Sequence, residues 1–163
     1  MTALLLKQKY HIIILLSIIL LSSYLLPFDK VLAPNDNAQR PKVLYLNLEI
    51  ADTPELQELG LSYRESLAPE AGMLFIFPKP SLTSFWMKGM RFPLDIIWLD
   101  ADMRIINITV NATPESYPTT FHPDTDRLTS FVLEVNAGFC KANNLKVGDV
   151  IKIESLPNPP TPR

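Results

Sequence analysis

Residues 43–50 read VLYLNLEI. Leu44, Leu46, Leu48 and Ile50 alternate with Val43, Tyr45, Asn47 and Glu49, and a period of two sorts side chains onto the two faces of a β-strand. Downstream, Thr53 and Pro54 open a short helix, Thr53 as N-cap and Pro54 at its first position, and Gly60 closes it in a left-handed conformation. Apolar runs follow at Met73–Phe77, between Gly72 and Pro78, at Ser84–Lys88, ended by Gly89, and at Ile96–Leu99. The turn Asp100-Ala101-Asp102 leads into Arg104–Val110, where the alternation predicts Ile106, Ile108 and Val110 on one face. Residues 111–128 are loop-like. Phe131–Val135 is a strand and Ala137–Leu145 a short helix, and Val147-Gly148-Asp149 turns into a last strand, Val150–Ile153. The expectation for residues 42–155 is an α+β domain with two short helices. Its sheet should be mainly antiparallel and barrel-like, because closing a sheet hides its edges.

Upstream, residues 10–28 read YHIIILLSIILLSSYLLPF, without an acid, lysine or arginine. As a helix this stretch would be about 28 Å long, close to the hydrocarbon thickness of a bilayer. Residues 1–28 are therefore expected to be a membrane anchor or signal segment. Lys7 and Lys9 precede it, which keeps the N-terminus in the cytoplasm and sends the rest outward. The best cleavage signal, Val31-Leu32-Ala33, runs directly into Pro34, which favours an uncleaved single-pass anchor; cleavage would give a secreted protein. Residues 29–41 have the polar, proline-bearing composition of a linker, and 156–163 form a proline-rich tail.

Composition excludes several classes. The first forty residues hold four of the 15 basic and two of the 17 acidic residues. The remaining 11 and 15 give a net charge of −4, which offers nucleic acid no electrostatic attraction. The single cysteine, Cys140, can neither close a disulfide within the chain nor build a zinc site alone.

Four clusters in order resemble the DUF192 family, also called UPF0127. They are Gly60-Leu61-Ser62-Tyr63-Arg64; Gly72-Met73-Leu74-Phe75; Phe85-Trp86-Met87-Lys88 with Pro93-Leu94-Asp95-Ile96; and Val132-Leu133-Glu134-Val135 with Gly138 and Gly148-Asp149. The match spans about residues 43–154. The resemblance implies a small β-rich, barrel-like fold, often behind a signal or anchor, and no reaction. One departure is Gly89, where family members often carry Asn.

The candidate ligand-binding residues are Arg64, Trp86, Lys88, Asp95 and Glu134. In a strand Phe85 and Met87 point one way and Trp86 and Lys88 the other, and an indole beside an ammonium can stack on a sugar ring or hold an anion. The charges at Arg64, Asp95 and Glu134 adjoin apolar runs, so each must face outward, pair, or converge on a polar pocket. The plainer reading makes Trp86 core, Lys88 an edge guard and the acids structural partners. His122-Pro123-Asp124-Thr125-Asp126 has the donors of a metal loop, but a polar loop needs no metal to explain it. Cys140 reads as a small buried thiol in a helix. No metal site, cofactor or catalytic residue is assigned.

The reading is therefore an extracytoplasmic, membrane-anchored binding module for a small polar ligand, a glycan or a partner protein. Two alternatives stand beside it: a hydrolase using Asp95 and Glu134 as paired carboxylates, and an envelope assembly or scaffold protein presenting Phe85 or Phe121 in an apolar patch.

Overall fold

A computed structural model describes residues 40–154. The expected anchor at 10–28, nearly all of the linker, and the tail at 156–163 lie outside the described residues. Among the described residues, no helix is long and apolar enough to cross a membrane.

The domain is mainly β, with two short α-helices. The strands are β1 (Lys42–Tyr45), β2 (Asn47–Ala51), β3 (Ala71–Ser81), β4 (Phe85–Trp86), β5 (Leu94–Leu99), β6 (Ile105–Ala112), β7 (Thr120–Phe121), β8 (Thr129–Asn136) and β9 (Ile151–Glu154). The helices are α1 (Pro54–Leu59) and α2 (Phe139–Ala142), with a 3-10 turn at Pro114–Ser116. The alternating run at 43–50 is divided between β1 and β2. β1 pairs in parallel with β9, and β2 in parallel with β3. The other ladders are antiparallel, and the main sheet runs β2-β3-β8-β5-β6.

This is not the closed barrel that edge protection suggested. β6 and β9 meet only at the isolated bridge Arg104↔Val150. Both strands begin there, after the positive-φ turns at Met103 (φ 57) and Gly148 (φ 95), and run apart in opposite directions. Contact is therefore a point and not a ladder.

The helix signals act as read. Thr53 Oγ1 accepts the Leu56 N–H at 3.3 Å, and Gly60 ends α1 at φ 52. Its ψ of −136 lies outside the left-handed helical region, so glycine is needed for the positive φ alone. The Ser84–Lys88 run forms only the two-residue strand β4, and the helix expected over 137–145 is the single turn α2. β3 continues past Pro78 and Pro80 to Ser81, with its register against β8 breaking between Ile76 and Ser81. Prolines cannot donate to a ladder and are found at such irregularities.

β5 is buried at all six positions, so both faces of the sheet are covered. Leu94, Ile96 and Trp98 join a cluster with Leu61, Met73, Phe75, Met87 and Val132. Ile97 and Leu99 join a second with Leu44, Leu46, Leu133, Val135, Cys140 and Ile151. The expected single face for Ile106, Ile108 and Val110 fails: Ile106 packs in the first cluster, Ile108 against the second, and Val110 is 63% exposed. Register shifts on β5–β6 at Trp98/Leu99 and Leu94/Ile96 insert extra residues, and each reverses the alternation.

Candidate functional site

The β5–β8 register sorts the two buried acids onto opposite faces. Asp95 lies opposite Val135, whereas Ile96 lies opposite Glu134. Directly paired residues share a face and successive residues do not. Asp95 therefore belongs with Ile97 and Leu99, and Glu134 with Ile96 and Val132. The pairing of these acids imagined for a hydrolase does not form across this sheet.

Asp95 is fully buried, and both its oxygens are used. Oδ1 accepts the Asn111 N–H and Oδ2 the Cys140 N–H, each at 2.9 Å. It thereby fastens the end of β6 and the start of α2 to β5. Burial, and then the neighbouring Asp95 carboxylate, push the Cys140 thiol up, away from the reactive thiolate form.

Glu134 is 5% exposed, with Met73 of β3 on one side and Ile96 of β5 on the other. No hydrogen bond or ion pair reaches its carboxyl among the described residues. Burial alone pushes this group up to about 8, so at neutral pH it holds its proton.

Above it lies a cavity of about 460 Å³, lined by Glu134, Phe75, Phe77, Phe85, Trp86 and residues 57–62 among others. Phe85 stands edge-on to Phe75, centroids 4.8 Å apart, and to Trp98 at 6.2 Å. The end of α1 reaches over the carboxyl: a Cβ on Gly60 would stand 4.0 Å from Glu134 Oε2. Thr83 contributes a hydroxyl to the lining that is buried without a hydrogen-bond partner.

The rim is held by backbone. Ser62 Oγ donates to the Lys88 carbonyl at 2.8 Å, and the Tyr63 N–H donates to the Gly89 carbonyl at 2.8 Å. Gly89 has φ 71 and lies against the Tyr63 ring. Asn is among the non-glycine residues that best tolerate such a φ, so the Gly/Asn difference at this position is met by a turn requirement.

Of the residues singled out from sequence, the cavity brings together Trp86 and Glu134. The expected alternation holds, with Met87 1% and Trp86 44% exposed. Lys88 Nζ lies 5.9 Å from the Trp86 ring centre and lines an adjoining cleft with Glu55, Glu58 and Tyr63. Arg64 is held elsewhere, in a two-pronged ion pair with Glu49 whose second prong is 2.8 Å. That guanidinium holds the Glu49 carboxyl below its ordinary range. Phe85 and Phe121, imagined as an exposed patch, pair across β4–β7 and are both partly buried. Among the described residues, no three His, Cys, Asp or Glu side chains could hold a metal ion.

Sequence reasoning missed Phe75 and Phe77 as cavity walls. The signal was present: Met73, Phe75 and Phe77 alternate within one apolar run and so share a face.

Comparison with known proteins places this geometry. Two crystal structures align with probability 1.00. One, from Sinorhizobium meliloti 1021, carries a provisional description as a transcription regulator; it is 36% identical, with TM-score 0.60, covering 64% of this chain and 79% of its own. The other, a protein of unknown function from Novosphingobium aromaticivorans DSM 12444, is 36% identical, with TM-score 0.61, covering 66% and 74%. No curated protein matches the chain. The model of DUF192, an uncharacterized ACR, matches residues 35–153, which includes every strand but the last residue of β9 and both helices. This chain belongs to the DUF192 family.

Proposed function

We propose that this domain is a ligand-binding module whose working part is the aromatic cavity over Glu134, carried outside the cytoplasm by residues 10–28. The observation that supports it is the Glu134 carboxyl. The carboxyl has no partner among the described residues and is largely desolvated where it meets the cavity, and a desolvated polar group facing a cavity is what a ligand's polar atom would satisfy. The aromatic walls suit a small molecule with an apolar body and one polar handle. That narrows the expectation of a small polar ligand or glycan: Trp86 remains open to stacking, but the deeper walls are hydrocarbon.

The topology rests on the uninterrupted apolar run and on Lys7 and Lys9 before it. Protease added to intact cells should digest residues 40–154, and complete protection would refute the orientation. For the cavity, a fragment library is screened by ligand-detected NMR against the full-length protein in detergent micelles. Hits should disappear with Trp86→Ala and with Glu134→Gln in variants whose circular dichroism is unchanged. Hits indifferent to both substitutions would place binding elsewhere and defeat the reading.

A further inference from the structure

We infer that the cavity selects an organic ammonium ion carried on a small apolar body; this rests on the binding reading above and names its ligand class. Three observations converge. First, the lining contains two acids, Glu58 at the rim and Glu134 at the floor, and no lysine or arginine. The nearest cations of the candidate set are turned to other tasks: Arg64 is paired with Glu49, and Lys88 lies over Trp86 in the adjoining cleft. Second, four aromatic side chains, Phe75, Phe77, Phe85 and Trp86, line the cavity, and an aromatic ring attracts a cation at its face and gives nothing comparable to an anionic group. Third, the described residues give Glu134 no counter-charge, so an entering cation is what would let it ionise, whereas an anionic ligand would be desolvated with no counter-charge in the lining.

The proton balance follows. The elements packed on Glu134 present no other titratable group to it from β3 or β5, where Met73, Phe75 and Ile96 face it, and α1 contributes only Glu58 to the lining. The carboxyl holds its proton when the cavity is empty. An entering ammonium pairs with the carboxylate, and the displaced proton leaves to solvent. Binding of a cation therefore releases a proton, whereas binding of a neutral molecule does not.

Three probes with one body separate the possibilities: benzylamine, benzyl alcohol and benzoate. They are titrated into the full-length protein in detergent micelles at pH 7, read by tryptophan fluorescence and by calorimetry in two buffers of different ionisation enthalpy. Benzylamine should bind at least tenfold more tightly than benzyl alcohol, with benzoate weakest, and only benzylamine should release a proton. Glu134→Gln should bring benzylamine down to the level of the alcohol. If that variant does not fold, Trp86→Leu, at an exposed position, should weaken benzylamine more than the alcohol. Benzyl alcohol or benzoate binding as tightly as benzylamine would overturn the cation assignment and leave the cavity reading standing. Binding of none of the three would overturn both.

Discussion

The central sheet buries one acid on each face, and the two are treated oppositely. Asp95, on the face with Ile97 and Leu99, accepts two backbone N–H groups. Glu134, on the face with Ile96 and Val132, has burial but no donor, and its carboxyl is pushed up to about 8. The acids sit on neighbouring strands, one residue out of register with each other. Burial alone therefore does not make an acid functional. Asp95 acts as a fastener, because each of its oxygens accepts a backbone N–H within the fold. Glu134 leaves its requirement open at the floor of a cavity, and an open requirement is what a ligand can meet.

The comparison can be broken most forcefully at Asp95. Asp95→Ala strands the Asn111 and Cys140 N–H groups, the latter deep in the core, and should cost about 4 kcal/mol, at roughly 1–3 kcal/mol per orphaned buried group. Urea denaturation measures it, and a loss below ~1 kcal/mol would show that water or a shifted backbone replaces the carboxylate.

Glu134 should give an effect of at most similar size and of opposite character, seen in pH and not in removal. Its carboxyl rises from an ordinary 4.5 to about 8 on folding. Between those values the folded state holds a proton that the unfolded chain has lost. Stability is therefore greatest below pH 4.5 and falls as pH climbs toward 8, at a limiting slope of about 1.4 kcal/mol per pH unit. Urea midpoints at pH 5 and pH 8 should differ in that direction, and Glu134→Gln should flatten the difference. An equal slope in the variant would mean that another group titrates.

The smallest effect belongs to Arg64, the charged candidate that the fold places in a partly exposed ion pair with Glu49. The pair's side chains are 35% and 51% exposed, so solvent screens it, and Arg64→Ala should cost about 0.5 kcal/mol. Benzylamine affinity should not change. A tenfold loss would bring Arg64 back into the site.

Much of the local structure was legible. Thr53-Pro54 and Gly60 bound α1 because caps and prolines act through their own backbone. The Phe85-Trp86-Met87-Lys88 alternation put Met87 and Trp86 on opposite faces, as observed, but did not tell which face was buried: the plainer reading made Trp86 core, and it is 44% exposed. The alternation failed at Ile106, Ile108 and Val110 because a bulge reverses facing through its position relative to a partner strand. The parallel pairing of β1 with β9 joins the two ends of the domain, and nothing in either segment alone encodes its partner. The barrel expectation failed for the same reason: closure depends on where β6 and β9 run after they meet.

The candidate site divides along the same line. The chain alone determined that Asp95 and Glu134 adjoin apolar runs and that Trp86 and Met87 take opposite faces of their strand, because hydrophobic periodicity is written residue by residue. It could not determine which acid would be satisfied. Side-chain facing in a sheet has a period of two, so a slip of one residue between β5 and β8 would exchange every assignment. Only the assembled sheet fixed that register, giving Asp95 its two donors and leaving Glu134 beneath the aromatic cavity.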